Sequence, residues 1–175
     1  MVQKGDFQFG VASNKPAMLF REKNPTTIEH LLDLIITREI YLINELQEVT
    51  QKKMGEGKSI YEIWMREDND IVQQVARAFG ERIAAEFAWK RIQTHSNSNN
   101  LKNLLILYLK LHLSAVVLKD LGWYILNDLV CIPAAKAINS LHKNVVDKLH
   151  PYALDTVNAF GIPEHLITAP IAQDY

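Results

Sequence analysis

The 175-residue chain contains few residues that cross-link a fold or break helices: one cysteine, six prolines and seven glycines. Because Cys131 has no second cysteine to pair with, an intrachain disulfide is excluded, which suits a reducing compartment. The sequence also lacks a glycine-rich loop of the kind that surrounds a phosphate group. These absences exclude a disulfide-stapled scaffold and a nucleotide-binding phosphate loop.

Neither sign of charge predominates. The chain has 19 lysines and arginines against 20 aspartates and glutamates, which gives a net charge of −1. This balance gives no electrostatic reason to expect nucleic acid or an anionic membrane as a partner.

Long apolar runs are also missing. The longest lies at residues 104–109, and Lys110, His112 and Lys119 interrupt the apolar segment that follows. Because a membrane span needs about 20 consecutive apolar residues, we interpret this region as a buried helix and predict no membrane span. The opening residues MVQKGDFQFG also lack the apolar segment of a signal peptide.

Apolar residues make up 48% of the chain and recur at helical spacing. This periodicity predicts four long helices and one extra short helix, joined by short loops. Such connections favour antiparallel neighbours, so we predict an all-α, up-down four-helix bundle. The predicted organisation is a leader or linker remnant at 1–24, the bundle at 25–161 and an extended apolar tail at 162–175.

Capping residues mark the predicted helix starts. Thr26 with Glu29, and Ser59 with Glu62, have the spacing of capping boxes, in which side chains and backbone amides at a helix start bond reciprocally. Asp70 is placed to cap the next long helix. We therefore expect three helices to begin at these positions.

Glycines and prolines mark the predicted helix ends. We expect the first helix to end near Lys53, Gly122 to break the most apolar helix, and Gly161 to cap the last one. Pro133 suits a first helical turn. Pro151 lies inside a helical pattern and should kink that helix.

The spacing also predicts which faces are buried. The first helix carries two apolar stripes, which predicts two neighbours. The segment 101–120 is apolar on most sides and is expected at the centre. In the helix after Asp70, the residues predicted to be buried are Val72, Val75, Phe79, Ile83 and Phe87, with the small residues Ala76, Gly80, Ala84 and Ala88 beside them.

Few residues are candidates for chemistry. Di-iron bundles use Glu-x-x-His pairs, and the sequence has none. His142 and His150 lie two turns apart with Asp147 between them, which allows a metal or proton site but is more typical of a polar stripe. His112 is either a buried base or, more commonly, a core histidine bonded to a backbone carbonyl.

The remaining candidates favour structural roles. Cys131 has no activating neighbour in the sequence, and Asp68 and Asp70 fit helix capping. The tryptophans are typical of core or interface positions: Trp64, Trp89 and Trp123. We therefore assign no catalytic, cofactor-binding or metal-ligating residue.

Three stretches carry a family resemblance. NDIVQQVARAFGERIAAEFAWKRI begins at Asn69, and LKNLLILYLKLHLSAVVLKDLGWYILNDLVCIPAAKAI begins at Leu101. HPYALDTVNAFGIPEHLITAPIAQDY, which begins at His150, is the most specific through its AFGIP and APIA motifs. Together they resemble the second, C-terminal helical domain of the flavin-dependent acyl-CoA oxidases, which are akin to acyl-CoA dehydrogenases. The resemblance covers roughly residues 26–175.

The resemblance implies a parent enzyme that oxidises fatty acyl-CoA to trans-2-enoyl-CoA with FAD and O2, giving H2O2. It implies that this chain packs on the other oxidase domains and a second subunit, as a homodimer, and binds no FAD alone. No residue here matches the family's catalytic glutamate, and Asn158 stands where the family has an aspartate.

The resemblance also implies a location, which is peroxisomal for a eukaryotic parent and cytoplasmic for a bacterial one. The chain ends Gln-Asp-Tyr rather than in the peroxisomal Ser-Lys-Leu type of signal, so no targeting signal is expected in it.

Two other hypotheses stay open at this point. The chain could be a stand-alone helical protein-interaction module derived from that domain, which binds a partner through its tail. A metal-binding bundle is the weaker alternative.

Overall fold

The computed structural model describes residues 25–95, 98–167 and 169. Its helices are α1 (Ile28–Gly55), α2 (Ile60–Glu62), α3 (Asn69–His95), α4 (Asn99–Lys119), α5 (Leu121–Leu126), α6 (Ile132–Leu149) and α7 (Ala153–Ala159). A π-helical turn (Ile63–Glu67) follows α2, and 3₁₀ turns lie at His150–Tyr152 and Glu164–Leu166. The described residues contain no β-strand, which confirms the all-α prediction.

The predicted domain boundaries stay predictions. The leader at 1–24 lies outside the described residues, as do residue 168 and residues 170–175 of the predicted tail.

Helix α1 runs antiparallel to α3. Thr50 of α1 bonds Trp64, just before α3, whereas Arg38 bonds Glu81 within it. The partner numbers rise as the α1 numbers fall, which is the signature of opposed directions.

Helix α4 pairs with α6 in the same antiparallel sense. Ser114 bonds His142, and Tyr108, earlier in α4, bonds Thr156 beyond the end of α6. Helix α4 also packs against α1 and α3. The two antiparallel pairs are compatible with the predicted up-down four-helix bundle.

The helix starts agree with the sequence at Ser59, where both bonds of the capping box to Glu62 form. The prediction for Thr26 is wrong by one residue, because Thr27 is the cap and its hydroxyl accepts the amide of His30 at 3.2 Å. This register places Ile28 as the first helical residue, where it is buried.

The predicted cap at Asp70 is also wrong. Helix α3 begins at Asn69, so Asp70 lies inside the first turn. The carbonyl oxygen of Asp68 accepts the amide of Val72, while the Asp68 carboxylate turns away to Lys53. Asp70 still places negative charge at the positive end of the helix dipole.

The later helix boundaries agree with the positions predicted from glycine and proline in all but one case. Pro133 lies in the first turn of α6, and Pro151 interrupts the helical pattern with a 3₁₀ turn, as predicted. Gly161 follows α7 with φ +62°, a left-handed conformation that favours glycine. The prediction for Gly122 is wrong, because α4 ends at Lys119 and Gly122 lies within α5.

The hydrophobic core lies where α1, α4 and α6 converge. Its largest fully buried apolar members include Leu31, Leu34, Leu113 and Ile138. Tyr124 is buried among them, where its hydroxyl donates to the carbonyl of Leu34 at 3.3 Å and burial raises the pKa of its phenol. The core therefore holds α5 against the long helices.

The predicted buried face of α3 is wrong. The residues of α3 that are buried are Ala78, Arg82, Ala85 and Ile92. By contrast, Phe87 is exposed, and the rest of the predicted apolar face is half-buried. Small alanines allow close approach to α1, and ion pairs from Glu81 and Arg82 to α1 fix the rotation.

Helix α4 is central through only part of its length. Leu109, Leu113, Val116 and Val117 are buried, which agrees with the prediction for the second half. In the first half, Leu101 and its neighbours towards α3 stay partly exposed. The sequence therefore predicted correctly which helix is the most apolar. It did not predict how much of that helix the other helices bury.

A buried charge network, which the sequence did not reveal, joins three helices. Arg38, only 2% exposed, forms salt bridges with Glu81 of α3 and Asp120 at the end of α4. Arg77 bonds the same Asp120 at 2.5 Å from the solvent side. The network therefore ties the end of α4 to α1 and α3.

A second buried pair is formed by the next residue of each helix. Arg82 donates to both carboxylate oxygens of Glu39, and to Glu86 at 2.7 Å. Burial alone would lower the pKa of Arg82, but the hydrogen bond and charge attraction of Glu39 outweigh burial and raise it. The arginine stays charged throughout the working pH range.

Arg38→Ala is expected to lower the free energy of unfolding by about 3 kcal/mol, because it removes the buried cation from two partly buried carboxylates. Arg77→Ala is the matched control. Arg77 contacts the same two carboxylates but is 39% exposed, so its loss should cost less than about 1 kcal/mol. Urea unfolding followed by circular dichroism measures both, and equal losses would contradict the central position of Arg38.

Gly161→Ala is expected to destabilise α7 by about 1 kcal/mol, because alanine resists the left-handed conformation. An added Cβ meets no atom within 4 Å there, so conformation alone decides the result. Faster amide hydrogen exchange in α7 is the measurement. Gly80→Ala, in the exposed interior of α3, is the control and should instead raise the melting temperature, since alanine favours a helix by about 1 kcal/mol.

Candidate docking surfaces

Two apolar grooves flank α3. Groove A, of about 610 Å³, lies between α1, the π-helical turn and α3, and is lined by Ile43, Leu46, Gln47, Thr50, Gln51, Trp64, Val72, Val75, Ala76 and Phe79. These lining residues include no charged side chain. Trp64 is held at the edge by its indole N–H, which donates to the Thr50 hydroxyl at 2.9 Å. The groove therefore offers an apolar wall with a fixed aromatic edge.

An ion network closes the turn beside groove A. Lys53 contacts Asp68 at 2.6 Å and Glu67 at 3.0 Å, and Lys58 contacts Glu67 at 2.8 Å. The hydrogen bonds that Lys53 donates to Asp68, and then to Glu67, raise the pKa of Lys53. Those from Lys58 and then Lys53 lower the pKa of Glu67. The charges satisfy one another, so they fix the turn rather than attract a charged ligand.

Exposed large apolar side chains continue this surface past the turn. Met54, Ile60, Tyr61 and Met65 all belong to it, and each is exposed. Aromatic residues and methionine are enriched in protein interfaces. The composition of this patch is therefore that of a docking surface.

Groove B lies on the other side of α3, against α4. Its volume is about 560 Å³, and its lining is Ala84, Ala88, Arg91, Ile92, Leu101, Leu105, Tyr108, Leu109 and His112. The predicted small-residue row of α3 forms part of this wall. Three residues of the predicted apolar face, Val72, Val75 and Phe79, line groove A, and none of that face lines groove B.

The C-terminal arm, which we define as residues 153–167, carries a third apolar surface. Leu154, Val157 and Phe160 recur every three residues and are all exposed, and Ile162 and Leu166 follow beyond the turn. One described side-chain hydrogen bond ties the arm to the bundle, from the Tyr108 hydroxyl to that of Thr156 at 2.7 Å. The arm therefore projects its apolar residues away from its own core.

The histidines do not form the metal or proton site weighed from the sequence. His142 is half-buried, with its Nδ1 atom 2.9 Å from the hydroxyl of Ser114 in α4. His150 and Asp147 are exposed. Within the described residues, no group of three or more histidine, cysteine or acidic side chains could hold a metal ion.

Other candidate residues lie in structural positions. His112 is exposed on groove B, so neither a buried base nor a core histidine describes it. Cys131 is half-buried at the start of α6 and packs on the core. Trp89 packs on the core, and Trp123 meets Tyr41 and Tyr124 edge-on with ring centroids 5.9 and 5.3 Å apart.

Helix α4 is long and apolar enough to cross a membrane by length and composition alone, with a mean hydropathy of 1.6. Core helices of soluble proteins meet the same criterion, so this weak signal does not establish a membrane span.

A protein-family model matches most of the chain. The family model for acyl-CoA oxidase matches residues 27–174, from the cap of α1 through the C-terminal arm. Searches of curated proteins and of solved structures find no match. Because the family match covers most of the sequence, the chain belongs to the acyl-CoA oxidase family.

Proposed function

We propose that the chain is the C-terminal helical domain of an acyl-CoA oxidase. The parent enzyme oxidises fatty acyl-CoA to trans-2-enoyl-CoA with FAD and O2 and releases H2O2 in fatty acid β-oxidation. The parent is peroxisomal in a eukaryote and cytoplasmic in a bacterium. The family match over residues 27–174 supports this assignment.

Within that enzyme the domain has a structural role. The observation that carries this proposal is groove A, where a face of α3 with the composition of a core is not covered by the described part of the chain. Exposed Trp64, Tyr61 and Met65 beside it are suited to anchor a partner surface. Groove A packs against the flavin-containing domains of the oxidase, and the bundle supports the dimer.

FAD would accept the hydride from the acyl chain, and the other oxidase domains would hold it. The residues described here do not fit a complete flavin site. Groove A has no cationic lining residue for a pyrophosphate, and groove B has Arg91 alone besides His112. We therefore assign no catalytic step to the residues of this chain.

The first test of this proposal is an activity assay. The purified chain is expected to give no acyl-CoA-dependent peroxide, because it lacks the flavin domains and the catalytic glutamate. Supplied in trans to the flavin-containing remainder of a parent oxidase, it should form a stoichiometric complex that produces peroxide. Light scattering and a peroxidase-coupled assay measure the two outcomes.

A groove variant sharpens the test. Val75→Asp should weaken the complex by roughly tenfold or more, since it buries a carboxylate without a partner. Leu126→Asp, on an 86% exposed residue of α5 outside groove A, is the control and should leave affinity unchanged. Peroxide from the chain alone would refute the structural role. A folded chain that ignores the remainder would favour the stand-alone interaction module instead.

A further inference from the structure

The C-terminal arm and groove B lie side by side on one edge of the bundle. Tyr108 lines groove B, and its hydroxyl also donates the hydrogen bond that holds Thr156 of α7. One edge of the molecule therefore carries both an open apolar groove and an exposed apolar ridge. Such an edge can complement itself across a two-fold axis, because each copy supplies one groove and one ridge.

The arm does not occupy the groove of its own chain. Phe160 is 75% exposed, and Leu154 and Leu166 are similarly exposed. The bond at Thr156 fixes α7 outside the groove, and the left-handed turn at Gly161 ends the helix there. To insert the apolar row of its arm into its own groove B, the chain would have to break the hydrogen bond between Tyr108 and Thr156. The arm of a second copy could enter that groove with the bond intact.

Charge favours groove B over groove A as the arm's partner. The arm, residues 153–167, contains Asp155 and Glu164 but neither lysine nor arginine. The lining of groove B contains Arg91 and His112 and no carboxylate. The lining of groove A contains no charged side chain. An acidic, apolar arm thus complements groove B in both charge and polarity.

We infer that the C-terminal arm of one copy of this chain fills groove B of a second copy, and reciprocally. The apolar row at every third residue packs between α3 and α4 as an amphipathic helix does in a groove. The inference specifies the surfaces behind the subunit pairing in the proposed function and rests on that function only for its biological setting. Its test needs no flavin and no substrate, so its failure is distinct from a failed peroxide assay.

The first test is the self-association of the purified chain. Sedimentation equilibrium should show a dimer whose dissociation constant rises at least tenfold in Phe160→Asp and in Leu105→Asp. Val146→Asp, at an exposed position of α6 outside both grooves, is the matched control and should leave the constant unchanged. Circular dichroism confirms that each variant is folded. A monomer, or equal weakening by all three variants, would overturn the inference.

Cross-linking separates exchange between copies from insertion within one chain. In a Cys131→Ser background, a protein with Leu105→Cys is mixed with one that carries Phe160→Cys, and a short bismaleimide is added. The inference expects a mixed covalent dimer, and far less product when Val146→Cys replaces Phe160→Cys. If instead a chain carrying both Leu105→Cys and Phe160→Cys is linked only within itself, the arm belongs to its own groove and the inference fails.

Discussion

The buried guanidinium of Arg38 is the contact on which the rest of the structure depends. This single side chain joins α1, α3 and the end of α4, through Glu81 and Asp120. A buried cation is stable only while its partners stay in place. The ion pairs therefore constrain the rotation of α3 and the position of the turn after α4 together. The pair formed by Arg82 and Glu39, the residues that directly follow Glu81 and Arg38, adds a second constraint.

The rotation of α3 decides which surfaces remain for a partner. With its charged face turned to α1 and alanines at the contact, α3 directs Val72, Val75 and Phe79 to one side, and its small residues Ala84 and Ala88 lie on the other. Groove A and groove B are the consequence. A bundle held only by apolar packing would gain by burying Val72, Val75 and Phe79 itself. The charge network stabilises an arrangement in which those residues stay half-buried.

Periodicity predicted the helices well because helix formation is governed by local spacing and capping. The capping box at Ser59, the first turn at Pro133, the break at Pro151 and the turn at Gly161 are all where the sequence indicates. The orientation of α3 was predicted wrongly, because an apolar stripe looks the same whether it faces a core or a partner. The ion pairs of Arg38 could not be found either, since their carboxylates are 43 and 82 positions away in sequence. Those long-range pairs are also what distinguishes the docking surfaces from the core.

The uncovered face of α3 affects how the unassembled chain would be recognised in a cell. Chaperones and proteases bind exposed apolar surface on folded and partly folded chains alike. The grooves beside α3 present such surface in the finished fold, not only during folding. Assembly with a partner would then act as a quality-control step. Chains in a complex would have this apolar surface covered, whereas surplus chains would keep it exposed to chaperones and proteases. The amount of the domain in a cell would thereby be matched to the amount of its partner.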